Sequence, residues 1–377
     1  MALTALVLNQ SASWWIGTLS MLPFVLFGGS LIVRKIRRSD LVWSFLAVAL
    51  IFIVWFGFQR GGSPLTVLTK ALADSPILFF AFIMLTEPLT VPPTKLLRVV
   101  YGAFTGLLFV PSVHIGSIYS TPELALLVGN IFSYLVSPKE KLFLTLNKID
   151  QAASDVYDFM FTSDAKLKFK PGQYLEWTLA HPRSDSRGNR RYFTIASSPT
   201  EKSIRMGVKF YPDASSFKRR LGSMQIGNKI IASQLAGDFT LPKNTEQKLA
   251  FIAGGIGITP FRSMIKYMLD TNQRRPIVMI YSNKTSADIA YKEIFDQAEK
   301  QLEIKTIYAM TGESAQGRDG FVGKVDGQTI EREIPDFMER AFYLSGPNSM
   351  VVAFEEILKK LGVKKSHIKK DYFPGFA

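Results

Sequence analysis

Two stretches near the start of the chain, residues 14–33 and 41–58, contain no charged residue. Each is close to the ~20 residues that a helix needs to cross the hydrocarbon of a bilayer. Lipid offers no partner to a bare peptide group, so a spanning run of this kind must be helical. Three further apolar segments follow, at 63–86, 96–113 and 123–136. The third of the five is interrupted by Lys70, Asp74 and Pro76, and the fifth is short. No basic residue precedes the first run and no small-residue cleavage site closes it before Arg34. It therefore reads as a span rather than a cleaved leader.

Charge divides the chain at the same place. Residues 1–137 hold eight Lys/Arg and four Asp/Glu; the other 37 basic and 27 acidic residues lie beyond. The first part reads as membrane and the second as a soluble, basic region. A net charge of +14 is better explained by basic flanks and a face resting on anionic lipid than by nucleic acid, which is not expected as a partner.

The basic residues also give an orientation. RKIRRSD lies between runs one and two, Lys95 and Arg98 between three and four, and Lys139 and Lys141 after five. The alternate connections carry only Arg60 or no positive charge. The positive-inside rule then places the N-terminus outside, with five spans and a cytoplasmic C-terminal region, as in a prokaryotic inner membrane. Lys70 and Asp74 read either as an i,i+4 pair at a mouth of the bundle or as part of a cofactor or ion path.

Composition excludes several chemistries. With no cysteine there is no disulfide, no thiolate-held cluster and no catalytic thiol. The three histidines are His114, His181 and His367, and only His114 lies in the apolar part. A two-haem relay across a bilayer needs two histidine pairs, so that relay is ruled out. His114, beside Pro111 and Gly116, reads as an interfacial residue.

From about Lys141 the pattern changes to short alternating strands with Gly and Pro turns, which predicts an antiparallel barrel. After Lys248 apolar strands alternate with amphipathic helices, which predicts a parallel sheet covered on both faces. The expected domains are a transmembrane helical bundle at 1–137, a barrel at 138–245 and an α/β domain at 246–377. GGIGITP, residues 254–260, sits at the first strand-to-helix turn of the α/β part. Such a turn lets backbone N–H groups approach a pyrophosphate, although alone it also fits a plain structural turn.

Residues ~141–377 resemble the ferredoxin–NADP reductase superfamily, a flavin barrel followed by a nicotinamide-nucleotide domain. The residues that carry the resemblance are Arg191, Phe193, Thr194 and Ser197, which match its Arg-x-Tyr/Phe-Ser/Thr-x-x-Ser motif. The resemblance implies FAD, with Arg191 on a flavin phosphate, Phe193 against the ring and Thr194 near N5. A guanidinium is suited to clamping phosphate, and a hydroxyl near N5 can tune the ring. SSFKRRL is similar to the family's second phosphate turn, which brings in Ser215, Ser216 and Lys218; Lys209 also resembles a family position.

Gly254, Gly255, Gly257, Thr259 and Pro260 fall in the resembling nucleotide loop. SGPNSM is similar to the family's Cys-Gly-Pro-x-x-Met turn beside the nicotinamide, with Ser345 in place of the cysteine, followed by Gly346, Pro347 and Met350. In the terminal DYFPGFA, Asp371 and Phe373 are the implied acid and aromatic that close over the flavin, although Phe373 also fits a core position. Ser282 and Lys284, after the second strand, favour NADPH slightly over NADH, because basic residues there suit a 2′-phosphate.

TEPLTVPPT, residues 86–94, resembles the Thr-Asp-Pro-x-Thr-x-Pro turn in the B and D membrane subunits of sodium-pumping NADH:quinone reductase and of Rnf-type complexes. PELALLVGNIFSYLV is similar to a later helix of those subunits. Five spans are about half of their ten, which implies a homodimer. GGSPLTVL lacks their Ser-Gly-Ala-Thr, so a second flavin, FMN or riboflavin, is expected to be non-covalent. Two readings of the turn remain. Glu87, Thr86 and Thr90 form a pocket for that flavin, or the prolines simply stop the helix and leave Glu87 among headgroups.

Together these features predict a membrane-bound, FAD-dependent NAD(P)H oxidoreductase. Electrons would pass to a membrane flavin, a quinone or a trans-membrane acceptor. A membrane-anchored reductase serving a soluble redox partner and a redox-coupled ion transporter are the alternatives.

Overall fold

A computed structural model describes residues 16–36, 38–87, 90–116, 118–137, 141–182, 184–312 and 321–373. The chain divides into two compact units, Met1–Lys139 and Glu140–Ala377.

The first unit is helical. Its helices are α1 (Leu22–Ile36), α2 (Ser39–Gln59), α3 (Pro64–Ala73), α4 (Ile77–Met84), α5 (Lys95–Leu108) and α6 (Pro122–Val136). Each expected apolar segment is thus at least partly helical. Among the described residues, only α2 is by itself long and apolar enough to cross a membrane. A second such span exists if α3 and α4, bent by 62° at their junction, count as one. Residues 14 and 15, where the first expected span starts, lie outside the described residues. The α3/α4 break falls at Ser75–Pro76, where proline cannot donate and disfavours helix in the residue before it. No ion pair joins Lys70 to Asp74; the Asp74 amide instead closes α3 on the Lys70 carbonyl at 2.9 Å.

Small residues hold this unit together. A Cβ on Gly102 would lie 2.6 Å from the Leu41 carbonyl oxygen, and one on Gly106 would lie 2.7 Å from that of Phe45. Backbones that approach so closely are the usual way that helices pack where water supplies no driving force. Arg98, buried on α5, donates to Asp40 at 2.8 Å and to the Pro93 carbonyl at 3.4 Å. It therefore ties the proline-rich turn to the start of α2.

The second unit begins with an antiparallel sheet of β1 (Leu142–Ala153), β2 (Val156–Ser163), β3 (Tyr174–Thr178), β4 (Arg190–Thr194), β5 (Ile204–Lys209) and β6 (Lys229–Ala236). The order is β4-β3-β6-β1-β2-β5. It forms a half-barrel whose two edges meet through the Ala196 amide and the Arg205 carbonyl at 2.9 Å. Helix α7 (Ser216–Gly222) follows β5. Trp177, Phe161, Phe159 and Phe217 fill the interior.

The parallel sheet contains β7 (Leu249–Gly254), β8 (Ile277–Asn283), β9 (Lys305–Met310), β10 (Phe321–Val322), β11 (Ala341–Pro347) and β12 (Ile368–Phe373). Helices α8 (Thr259–Asp270), α9 (Lys292–Leu302), α10 (Gly327–Glu333) and α11 (Asn348–Lys360) connect it. Its order, β10-β9-β8-β7-β11-β12, reverses direction between β7 and β11. Separate apolar clusters lie on its two faces, as a doubly covered sheet requires.

Candidate functional site

In open α/β sheets, ligands bind outside the strand C-termini where the strand order reverses. Here that point lies between β7 and β11. The two Gly-rich turns meet there. A Cβ on Gly257 would stand 2.4 Å from the Ser345 carbonyl oxygen and 2.5 Å from the Gly346 Cα; one on Gly254 would collide with the Met350 sulfur. Gly255 has a φ of +51°, which glycine adopts without strain. Only glycines let these turns close on each other, so segments far apart in sequence form one floor.

Ser345 lies on that floor, fully buried, with its hydroxyl unpaired. Its strand neighbour across the β11/β12 ladder is Asp371. Burial pushes the Asp371 carboxyl up to about 7. Thr259 is buried and donates to the Ile256 carbonyl at 3.2 Å, and Pro260 occupies the first turn of α8. Gly346 and exposed Pro347 end β11, and Pro347 pairs in register with Phe373, whose side chain lies outside the described residues.

The half-barrel supplies the adjoining wall. Gly207 of β5 packs against the nucleotide turn, since a Cβ there would lie 2.8 Å from the Thr259 methyl. Arg262 and Ser263, on the helix leaving the Gly-rich turn, reach the residues that follow the Arg-x-Phe-Thr strand. Arg262 donates to the Ala196 carbonyl at 2.9 Å and to Glu201, and Ser263 donates to the Ser197 carbonyl at 2.6 Å. Lys209 crosses to Asp288 at 3.0 Å.

On β4, Thr194 is buried at the strand end and Phe193 is half-buried, its ring 5.8 Å from Phe217. The Ser197 hydroxyl accepts the Arg205 amide at 3.1 Å, so it serves the sheet edge. Ser215 accepts the Lys218 amide and caps α7. Arg191 and Ser216 converge on one anion, Asp185. The Arg191 guanidinium meets both Asp185 oxygens, at 3.0 and 3.2 Å, and the Ser216 amide donates to one of them at 3.2 Å. A guanidinium beside a main-chain N–H is a donor set that also suits a phosphate oxygen.

Ser282 is half-buried and lies within β8 rather than after it, and exposed Lys284 follows the strand's last residue. The nearby acid Asp288 is committed: besides Lys209, it accepts the Thr285 amide at 3.1 Å and hydroxyl at 2.9 Å. These contacts hold it below the usual carboxylate range against the opposing effect of burial.

In the helical unit, Thr86 is buried and donates back to the Phe82 carbonyl at 2.8 Å. Glu87 is exposed, and its carbonyl accepts both the amide and the hydroxyl of Thr90. Pro88 and Leu89 lie outside the described residues.

Sequence reading did not single out Asp158, Arg205, Glu201 or Arg262, which form a chain of ion pairs from the half-barrel to α8, with Asp158 and Arg262 buried and Glu201 and Arg205 half-buried. Arg205 bonds Asp158 at 2.9 Å and Glu201 at 3.2 Å. Burial raises the Asp158 pKa despite Arg205. The available signal was an acid set between two aromatic residues in the VYDFMF strand.

Comparison with known proteins agrees with this geometry. A family model described as "Oxidoreductase NAD-binding domain" matches residues 251–356, and one described as "NQR2, RnfD, RnfE family" matches residues 2–141. The chain is 28% identical over 233 residues to the glycine betaine monooxygenase reductase subunit of Chromohalobacter salexigens, covering 60% of this chain and 62% of that one. It is 29% identical over 213 residues to the propane 2-monooxygenase reductase component of Mycolicibacterium goodii, covering 55% and 60%. The chain thus spans less than two thirds of these relatives' own length. Among solved structures, flavohemoglobin from Malassezia yamatoensis with bound FAD and heme aligns with a TM-score of 0.58 at 20% identity, over 94% of this chain and 98% of that one. The Amycolatopsis cytochrome P450 reductase GcoB aligns at 0.56 and 19% identity, over 63% and 71%. A region matched by the NQR2, RnfD, RnfE family model thus precedes, in one chain, a region matched by the oxidoreductase NAD-binding domain model.

Proposed function

We propose that the chain is a membrane-bound, FAD-dependent NAD(P)H oxidoreductase that passes electrons to a membrane flavin, a quinone or a trans-membrane acceptor. The observation that carries this reading is the joining of the Arg-x-Phe-Thr strand to the nucleotide helix through Arg262 and Ser263. It fixes a candidate flavin wall against a candidate nicotinamide floor.

Bound FAD would exchange a two-electron reductant for one-electron delivery, a chemistry no side chain here supplies. The residues that would hold it are Arg191 and Ser216 at a phosphate, with Phe193 and Thr194 at the ring. Ser215, Ser197, Lys209 and Lys218 would act one step away, by fixing the turn, the sheet edge and the domain contact. Gly254, Gly255 and Gly257 would let the nucleotide reach the α8 terminus, and Thr259 and Pro260 would hold that turn. Ser345, Gly346, Pro347 and Met350 would flank the nicotinamide. Asp371, with its pKa near neutrality, can hold or release a proton there.

Lys284 and Ser282, together with the commitment of Asp288 to Lys209 and Thr285, support NADPH over NADH. In the first unit we read five spans, the bent α3/α4 pair counting as one, with the N-terminus outside a prokaryotic inner membrane. Exposed apolar side chains such as Phe24, Phe27, Trp43, Trp55 and Leu135 suit contact with lipid. Thr86, Glu87 and Thr90 are candidate contacts of a non-covalent FMN or riboflavin, and a homodimer would complete the bundle. A monomeric mass in native detergent mass spectrometry would reject the dimer.

The similarity to monooxygenase reductase components favours one second reading, a membrane-anchored reductase serving a soluble partner. Flavin analysis tests the main reading first. The purified protein is expected to be yellow, to release FAD on denaturation, to lose colour with NADPH and to show no haem bands. Two flavins per chain support a membrane flavin. A colourless protein that takes up no FAD rejects the proposal.

A further inference from the structure

The anion already seated between Arg191 and Ser216 comes from the chain itself. Asp185 lies in the connection between β3 and β4, in its described stretch 184–189. Its carboxylate bridges both Arg191 contacts and the Ser216 amide, and also accepts the Arg187 amide at 3.0 Å. In return, the Asp185 amide donates to the Ser216 hydroxyl at 3.0 Å, and that hydroxyl lies 3.0 Å from the His181 Nε2. Arg191 is enclosed further. Its Nη1 donates to the carbonyls of Arg187, Gly188 and Arg190 at 3.0, 3.1 and 2.7 Å. The guanidinium also lies 5.5 Å from the Phe217 ring centre.

The donors that a phosphate would use are therefore satisfied by one surface-loop carboxylate. Two anions at a single guanidinium repel each other, so a phosphate and the Asp185 carboxylate compete for it. Of the two partners, the carboxylate is the more exposed. The Asp185 side chain keeps 26% of its surface exposed, whereas Arg191 keeps 15%. The loop turns through Gly188 at a φ of +67°, and the carboxylate is presented by a local turn in which it accepts the amide two residues on. Against the opposing effect of burial, the hydrogen bonds from Arg187 and Ser216 and the Arg191 charge keep this carboxyl ionised far into acid. The competitor is thus charged at every working pH.

We propose that Asp185 is an internal surrogate for a cofactor phosphate, which the 184–189 segment must withdraw before Arg191 and Ser216 can bind a flavin nucleotide. This rests on reading the half-barrel as the flavin site. The carboxylate then sets cofactor affinity. It lowers the affinity for phosphorylated flavins, leaves that for riboflavin untouched and closes the cradle in the flavin-free protein.

The test is equilibrium binding to the flavin-stripped full chain in detergent, followed by flavin fluorescence, with FAD and riboflavin as separate probes. Asp185→Asn keeps the size and removes the charge. It is expected to bind FAD about tenfold more tightly than the unaltered chain, with riboflavin affinity changed less than about twofold. Asp185→Ser is a second variant, and melting temperature confirms that both remain folded. Unchanged or weaker FAD binding by both folded variants overturns the proposal and makes Asp185 a residue that positions Arg191. An equal gain for riboflavin also overturns it, because the effect would not run through phosphate. If the unaltered chain and both variants bind no FAD, the flavin reading of the half-barrel fails instead.

Discussion

The Ser263 hydroxyl donates to the Ser197 carbonyl at 2.6 Å, and both groups are buried. One residue belongs to the helix that leaves the Gly-rich turn, the other to the segment that leaves the Arg-x-Phe-Thr strand. Arg262, one residue earlier, bonds the Ala196 carbonyl and Glu201 in the same direction. The two motifs proposed to carry the chemistry are thus fixed to each other by adjacent side chains on one helix turn.

Removing Arg262 takes one of two cations from half-buried Glu201 and leaves Arg205 as the cation facing both Glu201 and buried Asp158. Arg262→Met is expected to destabilise the Glu140–Ala377 unit by about 3–5 kcal/mol, the cost of breaking a buried pair from one side. Ser263→Ala should cost only about 1 kcal/mol. Urea denaturation monitored by tryptophan fluorescence measures both; equal small losses would show that the link is peripheral.

Gly257→Ala places a methyl group against the backbone of Ser345 and Gly346, which has no flexible side chain to yield. The variant is expected to keep its flavin and to lose nucleotide affinity by about tenfold or more. Stopped-flow reduction across NADPH concentrations separates the two, and wild-type saturation would contradict the packing argument.

Asp371 makes stability depend on pH, with a definite sign. Its carboxyl is pushed up to about 7 by burial, against roughly 3.9 for a free side chain. Below pH ~4 both folded and unfolded chains hold the proton, and the group takes nothing from stability. Between pH ~4 and ~7 the unfolded chain ionises first, so stability falls as pH rises, then stays level above ~7. Asp371→Asn should therefore gain on the unaltered chain across that window, by about 1–3 kcal/mol after allowance for solvent screening. Melting curves at pH 4, 5.5, 7 and 8.5 check this; a difference that grows toward acid would have the wrong sign.

Lys284→Ala is expected to raise the KM for NADPH by about tenfold and leave that for NADH within about twofold, as loss of a phosphate contact should. Initial-rate kinetics with both nucleotides decide it. An unaltered chain with at least tenfold lower KM for NADH would remove the preference altogether.

Much of the fold was legible because local patterns agree with it. The period-two strands, the Pro-Gly entry to β3 and the strand-to-helix turns at Gly254 and Gly346 each state their element directly. The apolar segments announced helices, but not how far each would run. Pro76 splits one of them, and the α1, α5 and α6 helices end within 15 residues or fewer. Arg262, Asp158 and Asp185 were not legible. Their importance comes from partners 61, 47 and 6 residues away, and only the folded sheets bring the first two pairs together. Asp185 lies close to Arg191 in sequence, yet nothing in HPRSDSRGNRR says that its carboxylate will settle between Arg191 and the Ser216 amide.

The central claim is that electrons from NAD(P)H leave the second unit through the first. It is tested most directly in liposomes carrying the protein with its catalytic unit outward, a quinone in the bilayer and ferricyanide sealed inside. Adding NADPH outside is predicted to reduce the quinone or the enclosed ferricyanide. Reduction of a soluble dye outside, with both of those acceptors untouched, would contradict the account and leave an anchored reductase.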